Sequence, residues 1–203
     1  MTVYALPSAD FTTASFGLRS NTQTFSSPLS GVTQVVELTG ARWYANYTVA
    51  PLSASAAGEW IAFLSKLRGQ ANQFYGYDPA RTTAQGALGG TPLINGGSQT
   101  GNSLVTDGWS ASVTNVMKAG DYLAYATTSG RSLHMVVADA NSDGSGNATF
   151  TIEPAIRVSP ANNATIITAS PSCVMRLTSP EITWNESYMK FHGISFSAEE
   201  HLT

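Results

Sequence analysis

The sequence carries little charge. Asp, Glu, Lys and Arg make up 11% of its 203 residues, against about 25% in an ordinary soluble domain. Ser, Thr, Asn, Gln and Gly must therefore cover most of the surface, and so neutral a surface is weakly protected against association. Two interpretations stay open: part of the surface is covered in an assembly, or the chain is a neutral β protein that is rich in turns.

Basic residues, cysteine and long apolar runs are also scarce. The Lys and Arg residues are scattered and the net charge is −3, which argues against a nucleic-acid groove lined by clustered cations. The single cysteine, Cys173, excludes an internal disulfide and a multi-cysteine zinc site. Because no apolar run reaches about 18 residues and no basic segment opens the chain, we expect no membrane span and no signal peptide.

Short strand patterns separated by turn residues predict a mainly β fold. Residues 31–49 read as a β-hairpin, with a first arm at 32–38, a turn at 39–41 and a second arm at 43–49. In the second arm Trp43, Ala45, Tyr47 and Val49 alternate with Tyr44, Asn46 and Thr48, which is the period of a half-buried strand.

One helix is predicted at about residues 56–68. Ser53 or Ser55 can cap its N-terminus, and Gly69 follows as a stop. Glu59 near the start and Lys66 and Arg68 near the end favour the helix dipole. The apolar side chains Trp60, Ile61, Leu64 and Leu67 fall on one stripe, so we expect the helix to dock one face onto a sheet.

A change in composition after Tyr77 indicates a second, inserted module. Residues 78–101 are rich in Gly, Thr and Pro. Strand patterns follow at 103–105, 122–126, 133–138, 149–153 and 165–167, a spacing that suits a small barrel or sandwich. The sequence therefore predicts one domain from residues 1–77 and 179–203, and an inserted all-β domain from residues 78–178.

Asp139, Asn141 and Asp143, followed by Gly144, begin like a calcium loop of EF-hand type. The twelfth position should be a bidentate Glu, but it is Phe150. A hairpin connection explains the same residues, because Asp, Asn and Gly tolerate turn geometry. We therefore predict no metal and no cofactor, with these three residues as weak calcium candidates.

Catalytic side chains form no recognisable set. The histidines, His134, His192 and His201, have no orienting carboxylate at a diagnostic spacing, which favours structural or solvated roles. Carboxylates could pair as the acid and nucleophile of a glycosidase, but nothing selects one pair. The candidates are Asp107, Asp121, Asp139, Glu153 and Glu181.

Aromatic residues offer a binding alternative, since they can stack on sugars, although such residues more often form cores or subunit contacts. The predicted interaction residues are Trp109, Tyr122, Tyr125, Phe74, Tyr75 and Tyr77.

Four segments, taken in order, resemble a known family. They are a strand with a tryptophan (GARWYANYTVAPL), a helix (AGEWIAFLSKLRGQANQFYGYDP), an insert with GNSLVTDGW, KAGDYLAY and ADANSDGSGNATFTIEPAIR, and a closing strand that ends in GISFSAEE. Together they look like the minor or distal tail proteins of long-tailed, siphovirus-like bacteriophages and prophages. The resemblance spans nearly the whole chain, and its motifs are structural rather than catalytic.

The resemblance implies both a fold and a function. The fold would be a tail-tube-like β-sandwich or barrel with one flanking helix, carrying the inserted small β-barrel or β-sandwich on its outside. Copies would form a ring, usually a hexamer, that joins the tail tube to the tip or hub of the virion. The protein would be made in the bacterial cytoplasm, and the family pattern supplies no catalytic residue.

Acidic residues often line the lumen of such tails, and Asp10, Glu37, Glu199 and Glu200 are the candidates in this chain. Two other functions stay open. One is a carbohydrate-binding module that meets the host surface through Trp109 and nearby tyrosines. The other is a tail enzyme that hydrolyses cell-wall glycans.

Overall fold

The structure is a computed structural model that describes residues 1–8, 11–128, 130–186 and 192–202. Strands make up 48% of the chain and helix 7%, so the predicted mainly β fold with one helix is confirmed. The elements in chain order are β1 (Val3–Tyr4), β2 (Thr13–Arg19), β3 (Thr22–Ser26), β4 (Thr33–Glu37), β5 (Arg42–Leu52), α1 (Ala54–Leu67), β6 (Gln73–Gly76), β7 (Gly90–Ile94), β8 (Gly101–Trp109), β9 (Tyr122–Thr127), β10 (Gly130–Val136), β11 (Ala148–Ile156), β12 (Ile166–Ile167), β13 (Cys173–Leu177), β14 (Trp184–Glu186) and β15 (His192–Glu200).

Two larger sheets build the fold. The first sheet is curled and has the order β1-β6-β13-β15-β5-β2, with β14 paired to β15. The second has the order β12-β9-β10-β11-β8-β7. A bridge between Leu93 and Thr165 brings its two ends together, which makes it a nearly closed barrel. All strand pairs in both are antiparallel except β1 with β6.

The long strand β5 lies inside the first sheet, between β2 and β15. Trp43, Ala45, Tyr47 and Val49 are each at most 1% exposed, and the residues between them point to the other face of the sheet because side chains alternate along a strand. The period-two pattern predicted for this segment is therefore confirmed.

The helix α1 packs on the same face of the first sheet. Its cap is Ser53, whose side chain accepts a hydrogen bond from the N–H of Ala56, and the chain leaves the helix at Arg68 in a left-handed conformation. Trp60, Leu64 and Leu67 are buried as predicted, whereas Phe63 takes a fully packed position and Ile61 lies at the margin of the core. The first turn holds no acidic residue, because Glu59 lies in the second turn.

The predicted hairpin of residues 31–49 is wrong in its pairing. β4 pairs with β3, and β5 pairs with β2. Residues 39–41, the predicted turn, belong to the irregular segment between β4 and β5. The chain instead reverses between Ser27 and Val32.

The barrel contains all five strand patterns predicted for the insert, in β8, β9, β10, β11 and β12. One strand of residues 78–178 lies elsewhere: β13 pairs with β6 and β15 in the first sheet. The return to the first sheet therefore comes before Cys173, earlier than the predicted boundary. The division into two domains stays a prediction.

The first sheet and the barrel share a core. Tyr122, Ala124 and Leu133 belong to barrel strands, yet they pack in one apolar cluster with Trp43 and the helix. A second cluster, which includes Phe150 and Trp109, fills the barrel itself. Among the described residues, no helix has the length and apolar character needed to cross a membrane.

Candidate functional site

The strands β3 and β4, with the turn between them, form an arm that stands away from the core. Thr22 pairs with Glu37 at its base and Ser26 with Thr33 near its tip. The turn is held by hydrogen bonds from the N–H of Gly31 to the carbonyl of Ser27 and from the N–H of Ser27 to the carbonyl of Val32, each 2.9 Å long. Every residue of both strands is exposed, so the arm buries little of its surface against the rest of the described chain.

One face of the arm carries four exposed apolar side chains beside two glutamines, while Val35, which is 64% exposed, lies on the opposite face. Because Phe25 pairs with Gln34 and Gln23 with Val36, these four side chains share a face, and the alternation continues it to Val32 and Leu38. Phe25 is 57% exposed, Val32 60%, Val36 45% and Leu38 39%. Exposed apolar patches of this kind mark interaction sites.

The tip of the arm is exposed to solvent, and the arm carries almost no charge. Leu29 in the turn is 99% exposed, and Glu37 is the only charged residue between Ser20 and Leu38. The sequence pattern placed the valines of β4 in a hairpin with the next strand along the chain. The signal that could have identified the arm is the segment 22–25 just upstream, where two threonines and Phe25 favour a partner strand.

A notch lies beside β15, where the strand passes from its pairing with β13 to its pairing with β14. β13 pairs with residues 198–200 and β14 with residues 192–194, so residues 195–197 border the gap. The notch has a volume of about 260 Å³ and apolar walls from Leu64, Leu177, Ile182 and Phe196. Its remaining lining is polar and comprises Asn46, Thr48, Thr178, Ser179, Glu181, Ser195 and Ser197, with Tyr47 adding an aromatic ring.

An ion pair ties the first sheet to the barrel. The guanidinium of Arg157, just after β11, donates to the carboxylate of Glu200 on β15 and to the carbonyl of Ala41. The other oxygen of Glu200 accepts from the N–H of Trp43 over 3.1 Å. Burial raises the pKa of Glu200, while Arg157 and the Trp43 N–H oppose that rise. Glu200 is only 3% exposed, so it is unsuited to facing an aqueous lumen.

His134 lies fully buried inside the barrel. Its Nδ1 lies 2.7 Å from the carbonyl oxygen of Pro154, and since a carbonyl can only accept, Nδ1 carries the proton. Nε2 then accepts from the hydroxyl of Ser132 at 2.9 Å, and the hydroxyl oxygen of Tyr125 lies 3.1 Å from it. Burial lowers the pKa of His134 to about 4. The ring is therefore neutral and fully hydrogen-bonded, as the structural interpretation of this histidine requires.

The other two histidines lie on or next to β15. His192 is half-buried and pairs through its backbone with Leu52 and Glu186. His201 donates its backbone N–H to the carbonyl of Val174 over 2.9 Å, and partial burial lowers the pKa of its ring.

The aromatic residues predicted as an interaction surface are mostly internal. Phe74 and Tyr125 are 0% exposed, Trp109 5% and Tyr122 8%, so these four offer almost no area to a partner, and a sugar-stacking platform cannot be built on them. Trp109 packs its ring at 5.5 Å against Phe150 in the barrel.

Tyr75 and Tyr77 are half-buried. The ring of Tyr75 lies 4.5 Å below the guanidinium of Arg131 from the barrel. The backbone of Tyr77 is bonded to the hydroxyl of Tyr47. Both therefore take part in contacts within the chain, and a further role at a partner surface stays a prediction.

The oxygens of the calcium candidates accept hydrogen bonds from nearby backbone. Asp139 accepts from the N–H of Ala119 at 2.9 Å, and Asn141 from that of Asn115 at 2.7 Å. Asp143 accepts from the N–H groups of Ser145 and Asn147, at 2.8 Å each. These bonds give the three residues the turn-forming role that the sequence offered as the alternative. In the described part of the chain, no group of three or more His, Cys, Asp or Glu residues is placed to hold a metal ion.

The remaining carboxylates have separate surroundings. Asp121 is 3% exposed and accepts from the N–H groups of Gln85, Gly86 and Lys118, so it organises a loop. Glu153 accepts from the side-chain amide of Asn102 at 2.8 Å.

The other acidic candidates are split between surface, ion pair and notch. Glu199 pairs with Arg176 at 2.8 Å and with Arg42 at 3.7 Å. Glu37 is exposed on the arm, and Glu181 is exposed at the notch. Asp10, a lumen candidate, lies outside the described residues, and Asp107 is half-buried on β8.

Comparison with known proteins identifies no family for this chain. A scan against protein-family models found no match, and a search of curated proteins found no related sequence. The resemblance to tail proteins thus stays a prediction based on the motifs of the sequence.

Proposed function

We propose that this chain is a structural protein of a bacteriophage tail, whose copies form a ring at the distal end that connects the tail tube to the tip or hub. The observation that carries the proposal is the arm. A ribbon with an apolar face and two free strand edges stands away from the core, and such a feature is unfavourable in a protein that stays alone in water.

Association of copies would cover that face. Phe25, Val32, Val36 and Leu38 are each between 39% and 60% exposed in the single chain, and removing such side chains from water drives association. An arm that docks on a different surface of the next copy makes a heterologous contact, and rotation closes such contacts into rings. The low charge of the chain, 11% of residues, supports a surface of which much is buried in an assembly.

The proposed role is mechanical rather than catalytic. The first sheet, with its helix and arm, would form the ring, and the barrel would be carried by it. The shared core and the Arg157–Glu200 pair support a rigid connection between the two. The proposed partners are further copies of the chain, usually six in a ring of this kind by resemblance, and the neighbouring tube and tip proteins.

A concentration series by sedimentation velocity tests the arm. We expect the mass of the wild type to rise with concentration, and the double variant Phe25→Ser, Val36→Ser to remain monomeric. The matched control is Val105→Ser with Val137→Ser, because these valines are 37% and 41% exposed at other places in the fold. A double arm variant that associates as strongly as the control would contradict the proposal.

The tail position needs a separate experiment. Electron microscopy of particles that contain a labelled copy of the chain should show the label at the distal end of the tail. A label on the head, or along the shaft of the tube, would overturn the assignment to a distal ring even if the protein associates.

A further inference from the structure

We infer that the notch beside β15 receives the arm tip of a second copy of this chain, with Leu29 as the inserted side chain. This inference rests on the proposed function, since it requires the chain to associate with itself. It goes further than the proposed function because it assigns both sides of the contact: Leu29 is the knob and the notch is the hole.

The size of the notch favours a side chain over a small-molecule ligand. Its volume is about 260 Å³, below the roughly 300–1,000 Å³ of pockets that bind drug-sized ligands. It is also several times the roughly 30 Å³ that a water molecule takes up in the liquid. One large apolar side chain with its flanking backbone is an occupant of suitable size.

The chemistry of the two surfaces matches. The notch has apolar walls, formed in part by Leu64, Ile182 and Phe196, and polar walls of hydroxyl and amide groups with the carboxylate of Glu181. The tip presents Leu29, next to Pro28, between the hydroxyls of Ser27 and Ser30. Insertion would bury Leu29 against the apolar walls and leave the serine hydroxyls beside those of the lining.

The arm of the same molecule does not fill the notch. Leu29 is 99% exposed, and no arm residue contributes to the lining. An arm tip that fills the notch would therefore belong to another copy. A knob and a hole at different places on one chain make a heterologous contact, which propagates from copy to copy and closes into a ring when the rotation allows.

Disulfide trapping between two chains tests this contact. One chain carries Leu29→Cys and the other Ser195→Cys, with different mass tags so that the mixed dimer is identified. The native Cys173 is buried and does not compete. The matched control pairs Leu29→Cys with Ser145→Cys, since Ser145 is an exposed serine in a barrel loop.

We expect a mixed disulfide dimer with Ser195→Cys and a much lower yield with Ser145→Cys. Equal yields in the two mixtures, or no mixed dimer in either, would overturn the inference. In addition, Leu29→Ser should weaken self-association by on the order of tenfold to a hundredfold, because it removes the transfer free energy of a buried leucine.

The two proposals fail in different ways. If Phe25→Ser with Val36→Ser abolishes association but no disulfide forms at the notch, the arm docks elsewhere and only the inference is wrong. If the wild type does not associate and the cysteine variants do not cross-link, the proposed function fails together with the inference.

Discussion

The indole Nε1 of Trp43 on β5 donates a hydrogen bond of 2.8 Å to the carbonyl oxygen of Leu133 on β10. Trp43 belongs to the first sheet and Leu133 to the barrel, so this buried bond crosses the junction between them. The ring of Trp43 also packs edge-on against Tyr122 of the barrel at 5.5 Å. Together with the Arg157–Glu200 pair, it makes the barrel and the first sheet one packed unit.

Replacing Trp43 should weaken that junction. Trp43→Phe removes the donor to Leu133 and leaves space where the larger ring packed, so we expect unfolding to become easier by about 2–4 kcal/mol. The control is Trp184→Phe, because Trp184 is 49% exposed and should change stability by less than about 0.5 kcal/mol. Urea unfolding followed by circular dichroism measures both; equal effects would show that the bond across the junction is unimportant.

The buried ion pair Arg157–Glu200 should contribute more to the free energy of unfolding than the more exposed ion pairs of Glu199. Glu200→Gln leaves the guanidinium of Arg157, whose side chain is 22% exposed, without its carboxylate, at a cost of about 2–4 kcal/mol. Glu199→Gln, whose partners Arg42 and Arg176 are 35% and 36% exposed, should cost less than about 1 kcal/mol.

A further variant separates two causes of the lost stability: the missing attraction between the two residues and the buried charge of Arg157 left without a partner. Replacing both Arg157 and Glu200 with Met should restore much of the stability that Glu200→Gln loses, because no unpaired charge is then buried. A double variant no more stable than Glu200→Gln would contradict the explanation by an unpaired charge.

Stability should fall as the pH falls below the ordinary pKa of histidine. The pKa of His134 is about 4 in the folded chain against 6.5 ordinarily. Between these two values the unfolded chain binds a proton at this histidine and the folded chain does not. The free energy of unfolding is therefore unaffected by this group above about pH 6.5, declines below it and levels off near pH 4, with a total loss of about 3 kcal/mol. Urea titrations at about pH 7.5, 6 and 5 should show the decline.

The variant His134→Gln is the control for this pH dependence. It cannot gain a proton, so the part of the decline between about pH 6.5 and 5 that belongs to His134 should disappear. An unchanged pH profile in the variant would assign the decline to other groups.

Calcium should leave the stability unchanged. The oxygens of Asp143 are bonded to Ser145 and Asn147, and these bonds lower its pKa. Asp143→Ala should therefore lower the melting temperature by removing turn contacts, and millimolar calcium should not raise the melting temperature of either protein. A saturable rise with calcium in the wild type alone would revive the calcium interpretation.

The helix shows how far local sequence signals reach. Ser53 before it, Gly69 after it and the apolar spacing of Trp60, Leu64 and Leu67 are all local features, and they placed the helix within about two residues at each end. The candidate site was less accessible, because the valines of β4 have the same local pattern whether they lie in a core or on an exposed arm.

The function of the aromatic residues could not be read from their spacing. Trp109, Tyr122 and Tyr125 suit a binding platform and a core equally well, and their exposure depends on which strands cover them. Trp109 and Tyr125 lie inside the barrel, and Tyr122 lies in the core that the barrel shares with the first sheet. Phe25, which the sequence did not single out, is exposed on the arm.

Local chemistry is enough to specify the helix, the half-buried strand β5, the short strands of the barrel and the charge-poor surface. These follow from capping, side-chain periodicity and composition, which act within a few residues. Only the tertiary structure shows which strands pair: β4 pairs with β3, and β13 pairs with β6 and β15. Pairing depends on contacts between residues far apart in the chain, whose free energy comes from the packing around them rather than from either strand.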